Sequence, residues 1–266
     1  MVYGFKPRWR QWQEAKQMIN TEKTERITLL DGKVPLFIPK SGGLRPGLDA
    51  VMMAAACPAR AGDRVLEMGC GVGASILCLY YRVPGMSWIG IDIQPDLIDL
   101  ACENAKQNNV PDGIGDFVVG DIHAPGPDIP NDGFDCVLCN PPYYPQGTHM
   151  PPQDPGRAKA FMQDADDGLD PWIWAAHRAL RGRGSLTVIY PADRLDELIV
   201  AMTPRFGALS IIPLWPRVGV PATRVVVTGL KDRKGGGVKV SPGLVLHDET
   251  GWTLAAQAVL SGAGFG

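Results

Sequence analysis

A glycine-rich turn between an apolar strand and a helix constrains this chain more than any other feature. Arg64-Val65-Leu66-Glu67 reads as a short strand, Glu67-Met68-Gly69-Cys70-Gly71-Val72-Gly73 as the turn, and Ala74 to Tyr81 as a helix. Glycines let the backbone turn sharply and approach a ligand closely. Strand-like and helix-like segments then alternate. Trp88 to Ile93 is a predicted strand, Pro95 to Asn108 an amphipathic helix, and Asp116 to Val119 and Phe134 to Cys139 two further strands. Asp167 to Leu180 has Leu169, Trp172, Ile173 and Ala176 on one helical face; Ser185 to Tyr190 is a strand and Asp193 to Met202 a helix. This alternation predicts a doubly wound α/β sheet.

The flanks break the alternation. Residues 8–20 suit a short helix with tryptophans on one side. Arg26 to Ile38 reads as a hairpin around Asp31-Gly32, a dipeptide favoured in type I′ turns. Asp49 to Cys57 is an Ala-rich helix ended by Pro58, for which Asp49 is a possible N-cap. Leu209 to Leu214 and Arg224 to Leu230 are strands with no room for a crossover helix between them, so they are expected to pair antiparallel. Lys231 to Gly237 is a basic, Gly-rich turn, and residues 238–266 form an appendage expected to cover the sheet edge. The resulting division is 1–40 as extension and hairpin, 41–230 as the main domain, and 231–266 as an appendage packed on it.

Composition excludes several classes. The longest apolar runs fall short of a membrane span, and the N-terminus, with Lys6, Arg8, Trp9, Arg10 and Trp12, lacks a secretory pattern, so the cytoplasm is the expected location. The cysteines at 57, 70, 78, 102, 136 and 139 sit in apolar surroundings that suit reduced thiols. Cys136 and Cys139, three apart on one strand, point to opposite faces, and neither they nor the histidines show metal-ligand spacing. Net charge is -2, but unevenly spread. From Asp96 to Asp135 acids outnumber Lys106 nine to one, whereas Arg205 to Lys239 holds seven basic residues and only Asp232 as an acid. Such asymmetry allows a polyanion to meet one rim.

Four polar positions fall at the carboxyl ends of predicted strands, where ligands bind in open α/β sheets. Gly69-x-Gly71-x-x-Ala74 also satisfies a dinucleotide pattern, and Asp92, 21 residues after Gly71, suits a ribose diol in either cofactor class. Glu67, two residues before the first glycine, suits a cationic amino group better than a pyrophosphate. Asp121, in Gly120-Asp121-Ile122, can accept from an adenine amino group or cap a turn. Asn140-Pro141-Pro142-Tyr143 follows the strand ending at Cys139. It offers an amide oxygen, a backbone carbonyl, a rigid turn and an aromatic face, a set able to hold a planar amine by its hydrogens.

Taken together, Glu-x-Gly-x-Gly-x-Gly, Asp92, Asp121 and Asn-Pro-Pro-Tyr resemble the class I S-adenosylmethionine-dependent methyltransferases, in the branch that modifies amino groups. Residues 41–51, Ile212-Pro213-Leu214-Trp215-Pro216-Arg217, Ala222 to Val227 and Leu244 to His247 are similar to the bacterial tRNA(Val) adenine-N6 methyltransferase family. The resemblance implies a Rossmann-like, seven-stranded, mostly parallel sheet with an antiparallel last strand, plus the N-terminal hairpin. It implies S-adenosyl-L-methionine as cofactor, with Asp49, Glu67, Gly69, Cys70, Gly71, Gly73, Asp92, Ile93, Asp121, Ile122 and Asn140 around it. Asn140 and the Pro141 carbonyl would accept the two amino hydrogens, Pro142 would stiffen the turn, and Tyr143 would stack on the base. The implied substrate is adenine N6 in tRNA; protein glutamine N5, RNA guanine N2 and a non-catalytic RNA-binding relative are the alternatives. Arg217, Arg224, Lys231, Arg233 and Lys234, with Arg8 and Arg10, are the candidate phosphate contacts.

Overall fold

Residues 23–40, 45–142, 168–233 and 235–265 are described by the structure, a computed structural model. The helix expected within 8–20 lies outside them, as do Tyr143 and Lys234. The hairpin comprises β1 (Thr24–Leu29) and β2 (Val34–Pro39), an antiparallel pair forming its own sheet. Asp31 (φ 52°) and Gly32 (φ 84°) are both left-handed, as a type I′ turn requires, and Lys33 N–H donates to Leu30 O at 3.2 Å.

The main sheet begins with β3 (Arg64–Met68), β4 (Ser87–Asp92), β5 (Gly115–Val119), β6 (Phe134–Cys139) and β7 (Leu180–Pro191). It is completed by β8 (Phe206–Trp215), β9 (Arg224–Lys231) and the short β10 (Val238–Val240) and β11 (Leu244–Val245). The order across the sheet is β10-β8-β9-β7-β6-β3-β4-β5, with β11 also on β8. β3 to β7 pair in parallel, whereas β9 is antiparallel to both β7 and β8. The sheet thus has nine strands rather than seven. The two additions come from the appendage, which runs along β8 and pairs the backbone groups that an edge strand would otherwise leave open.

Six helices flank the sheet among the described residues: α1 (Leu48–Ala56), α2 (Ala74–Arg82), α3 (Pro95–Gln107), α4 (Asp170–Ala179), α5 (Leu195–Met202) and α6 (Leu254–Leu260). None is long and apolar enough to cross a membrane. The period of two along each strand divides the core. Val65, Cys136 and Leu138 pack on one face with α1, α2, α3 and the hairpin; Leu66, Val137 and Cys139 pack on the other with α4 and α5. Cys136 and Cys139 therefore do lie on opposite faces.

Register lines up the carboxyl ends that matter. Met68 pairs with Ile91 on one side and Cys139 on the other. The chain runs from β3 outward to β4 and β5, then returns to β6 on the far side of β3. This reversal opens a crevice above the carboxyl ends of β3 and β6.

Candidate active site

Above that crevice lies a cavity of about 500 Å³. Its floor is the glycine turn. Gly69, Gly71 and Gly73 all have positive φ, at 67°, 53° and 81°. They serve different ends. A Cβ on Gly73 would lie 2.4 Å from Phe117 Cζ, and one on Gly69 would lie 2.9 Å from Trp172 Cη2, so both let the turn pack on the core. A Cβ on Gly71 would meet nothing within 4 Å. Gly71 lines the cavity, with Gly69 and Cys70 beside it.

Asp92 holds this turn in place. Its Oδ2 accepts from Gly71 N–H at 2.8 Å and its Oδ1 from Gln94 N–H at 2.9 Å. A carboxylate oxygen has a second acceptor site, so Asp92 can still receive a diol hydrogen. Burial raises the Cys70 thiol pKa well above its ordinary value, which leaves it a neutral wall of the cavity.

Glu67 closes β3 and is 3% exposed. Its Oε2 accepts from Ile76 N–H at 3.0 Å in the first turn of α2. Burial pushes its carboxyl from 4.5 up to about 8; hydrogen bonds from Ser75 and Ile76 oppose the rise, and the neighbouring Asp92 charge adds to it. A cation placed in the cavity would favour the ionised form.

Asn140 follows β6 at the same height. The side chain lines the cavity, and its Oδ1 is buried with no hydrogen-bond partner among the described residues. A buried acceptor without a donor is unfavourable by about 1–3 kcal/mol. Because this atom lines the cavity, it is free to accept from a ligand that brings an N–H. Pro141 is buried and Pro142 half-buried behind it.

The opposite wall is Pro39 and the segment Arg45 to Asp49. Gly47, not Asp49, occupies the N-cap of α1. Asp49 instead bonds across the fold, its Oδ2 accepting from Arg224 Nε at 3.1 Å, and both residues line the cavity.

Several expected residues lie elsewhere. Gly73 is the N-cap of α2 behind the cavity, and Ile122 is buried in the core on the α4 face. Ile93 is exposed. Asp121 Oδ1 accepts from His123 N–H at 2.9 Å, the contact of a turn cap. Neither Ile93 nor Asp121 reaches the cavity wall.

The basic residues separate by strand direction. Because β9 is antiparallel, Arg224 pairs with Pro191 at the carboxyl edge, while Leu230 pairs with Ser185 at the other. Lys231 thus stands roughly 23 Å from Arg224, at 3.3 Å per strand residue. It is 6% exposed, and its Nζ donates to Asp132 Oδ1 at 2.7 Å and Leu180 O at 2.6 Å. This corrects the expectation of a phosphate contact: Lys231 is a buried structural cation. Arg233 is exposed at that same far edge, and Arg217 is exposed in the turn joining β8 to β9 above the carboxyl ends.

Sequence reasoning missed Asn104. It is fully buried on α3, where its amide nitrogen donates to Val72 O at 3.0 Å and Phe37 O at 3.1 Å, and its oxygen accepts from Phe37 N–H at 2.7 Å. The available signal was a polar residue on the stripe that buries Ile98 and Ala101.

Residues 59–208 match the family model described as a methyltransferase domain, which is more than half of the chain. Among curated relatives, a release factor glutamine methyltransferase of Rhodospirillum rubrum is 35% identical over 119 residues, covering 42% of this chain and 34% of that protein. A tRNA1(Val) (adenine(37)-N6)-methyltransferase of Porphyromonas gingivalis is 30% identical over 163 residues, covering 58% and 62%. The matches therefore span a third to somewhat under two thirds of these relatives' lengths. Among solved structures, a predicted O-methyltransferase of Agrobacterium tumefaciens aligns with TM-score 0.68 at 21% identity, over 82% of this chain and 98% of that one. An O-methyltransferase of Thermotoga maritima aligns with TM-score 0.51 at 18% identity, over 73% and 69%. At these identities both likenesses establish the fold.

Proposed function

This chain belongs to the methyltransferase domain family, and we propose that it uses S-adenosylmethionine to methylate the N6 amino group of adenine in tRNA. The observation that carries this reading is the buried Asn140 Oδ1, without a hydrogen-bond partner among the described residues, on the wall of a cavity floored by the glycine turn. The name of the Porphyromonas gingivalis relative favours the same substrate.

The residues present fit such a cofactor. Gly71 leaves open space where any side chain would intrude. Asp92 suits the ribose diol, and Glu67 supplies negative charge beneath a cationic end. When bound, the cofactor supplies an electrophilic methyl on a sulfonium.

The rest is positioning by this chain. An adenine amino nitrogen is a weak nucleophile because its lone pair is delocalised into the ring. Asn140 Oδ1 and the Pro141 carbonyl would accept its two hydrogens, favouring a pyramidal nitrogen and stabilising the positive charge that develops on it. The methylated nitrogen gives up its extra proton to water after transfer, so the site needs acceptors rather than a strong base. Pro142 stiffens the turn, and Tyr143, next in sequence, supplies a base-stacking face. A base in an RNA loop enters such a pocket with less unstacking than a duplex base. Arg217, on the same rim, is the candidate phosphate contact. Residues 41–230 form the methyl-transfer unit in this reading, with 1–40 and 231–266 as additions, and a tRNA substrate places the protein in the cytoplasm.

A second reading, transfer to a protein glutamine, is favoured by the name of the Rhodospirillum rubrum relative, since an amide nitrogen presents the same two hydrogens. Labelled methyl transfer separates the two. With bulk tRNA and release factor offered together, label is expected in N6-methyladenosine after nucleoside digestion. Label on glutamine establishes the second reading, and label on guanine N2 moves the target base. If neither S-adenosylmethionine nor its demethylated product raises the melting temperature, the cofactor assignment fails.

A further inference from the structure

Tryptophan is buried on average, and Trp88 and Trp172 follow that rule at 2% and 6% exposure. Trp174 is exposed, but the Arg178 guanidinium covers its ring at 5.0 Å from the centroid. Trp252 differs from all three. It is 38% exposed, and its ring stacks on His247 with centroids 4.1 Å and planes 29° apart. The two residues face each other in an antiparallel bridge. The turn between them is fixed. Asp248 N–H donates to Gly251 O at 2.9 Å, and Asp248 Oδ1 accepts from Thr250 N–H at 2.8 Å and from Thr250 Oγ1 at 2.7 Å.

This stack is tied to the rim that carries the cavity. Leu246 N–H donates to Trp215 O at 2.8 Å, and His247 N–H to Pro216 O at 3.0 Å. Arg217, next in the chain, is exposed and opens the turn that Val220 N–H closes on Arg217 O at 3.2 Å. Across the sheet, β11 lies four strand spacings from β6, roughly 19 Å from the strand that carries Asn140. At about 3.4 Å per stacked nucleotide, that is about five or six nucleotides from the target base.

We propose that the His247–Trp252 stack is a base platform, on which Trp252 stacks a nucleotide of the tRNA distant from the target adenine. This rests on the tRNA reading above and adds a second contact to it. An indole face accepts any base, and a ring already held by its neighbour loses little freedom on binding. Asp248 and Glu249 in the same turn repel phosphates, so this surface suits a base face, while Arg217 beside it suits the backbone.

Binding to bulk tRNA over a salt series tests the platform. Trp252→Ala is expected to weaken tRNA binding by about 5- to 100-fold. The dependence on salt should keep its slope, because stacking releases no counterions. Trp252→Phe keeps a ring and should recover most of the affinity, whereas Trp252→Leu keeps only apolar bulk and should not. Stabilisation by S-adenosylhomocysteine should match that of the unaltered protein in all three, which shows that the cavity is folded. Full affinity for Trp252→Leu or Trp252→Ala would overturn the platform. A shallower slope would mean that the turn bearing Arg217 has moved; Trp252 would then be structural, and the platform would fall. Unchanged tRNA binding with weakened transfer to release factor would make the surface a protein contact instead. If the unaltered protein neither binds nor methylates tRNA, the tRNA reading itself fails before any variant is made, an outcome distinct from the others.

Discussion

Asn104 donates its side-chain amide to the carbonyl of Val72, at 3.0 Å, and so ties helix α3 to the glycine turn from beneath. The same amide group makes two further bonds to the Phe37 backbone in β2. One buried side chain therefore joins the cavity floor to the hairpin, and Pro39, two residues beyond Phe37, lines the cavity.

Asn104→Ala should leave the backbone groups of Phe37 and Val72 without these partners. Each buried orphan costs about 1–3 kcal/mol, so a loss of roughly 3 kcal/mol or more is expected in urea unfolding. S-adenosylhomocysteine affinity should fall as well, because the turn loses its support. A variant of unchanged midpoint would show that water replaces the amide without penalty.

Gly71→Ala and Gly73→Ala should fail in different ways. Both glycines have positive φ, which strains an alanine by about 1–2 kcal/mol. At Gly73 the new methyl also meets Phe117 at 2.4 Å, so stability should drop further. At Gly71 the methyl enters the cavity instead, so a modest fall in melting temperature should accompany a large loss of cofactor-induced stabilisation. Thermal melts with and without S-adenosylhomocysteine check this, and equal behaviour of the two variants would contradict the assignment of Gly71 to the ligand.

Glu67 predicts a pH dependence. Its carboxyl is raised from 4.5 to about 8 by burial. Below the unfolded value both states are protonated, and the contribution to stability is fully present. As pH rises toward 8 the unfolded chain ionises first, so stability declines and the loss is complete above the folded value. Denaturant melts at about pH 6 and about pH 9 should show a difference that Glu67→Gln reduces by a few kcal/mol. Identical pH differences in the two proteins would place the carboxyl in water rather than in the core.

Much of this site was readable before folding was considered. The period of two in Val65, Leu66, Met68 and in Phe134 to Cys139 marks buried strands, and the glycines mark the turn between β3 and α2. Direction was harder. Charge along Arg224 to Lys231 is visible in the sequence, but only the antiparallel pairing of β9 sends Arg224 to the cavity and Lys231 to the far edge. Partners distant in sequence were also hidden: Asp49 with Arg224, and Asn104 with Phe37, depend on packing that no local pattern encodes. The two extra strands, each three residues or fewer, are too short to show a period.

Lys231→Met tests the reassignment of that residue. The ammonium bonds Asp132 and Leu180 from a buried position, so its removal should destabilise the fold by about 1–3 kcal/mol. tRNA affinity and its salt slope should not change. Arg217→Gln, on the exposed turn, is expected to do the reverse: unchanged stability, with the salt slope smaller by about one. A shallower slope for Lys231→Met would restore it as a phosphate contact.

Asn140→Ala separates holding the amine from holding the cofactor. The Oδ1 atom has no partner among the described residues, so removing it breaks no bond described in the protein and relieves a buried orphan. The folded protein should be as stable as before, or slightly more so. S-adenosylhomocysteine binding should change little, since the glycine turn, Asp92 and Glu67 remain. Methyl transfer should fall by about 100-fold or more, the scale on which a lost transition-state acceptor acts. Asn140→Asp adds a sharper arm. A carboxylate still accepts, so partial activity is expected, decreasing at low pH as the group protonates and turns from acceptor to donor. If Asn140→Ala methylates at the original rate while binding cofactor normally, the amine is held elsewhere and the clamp at the end of β6 is structural.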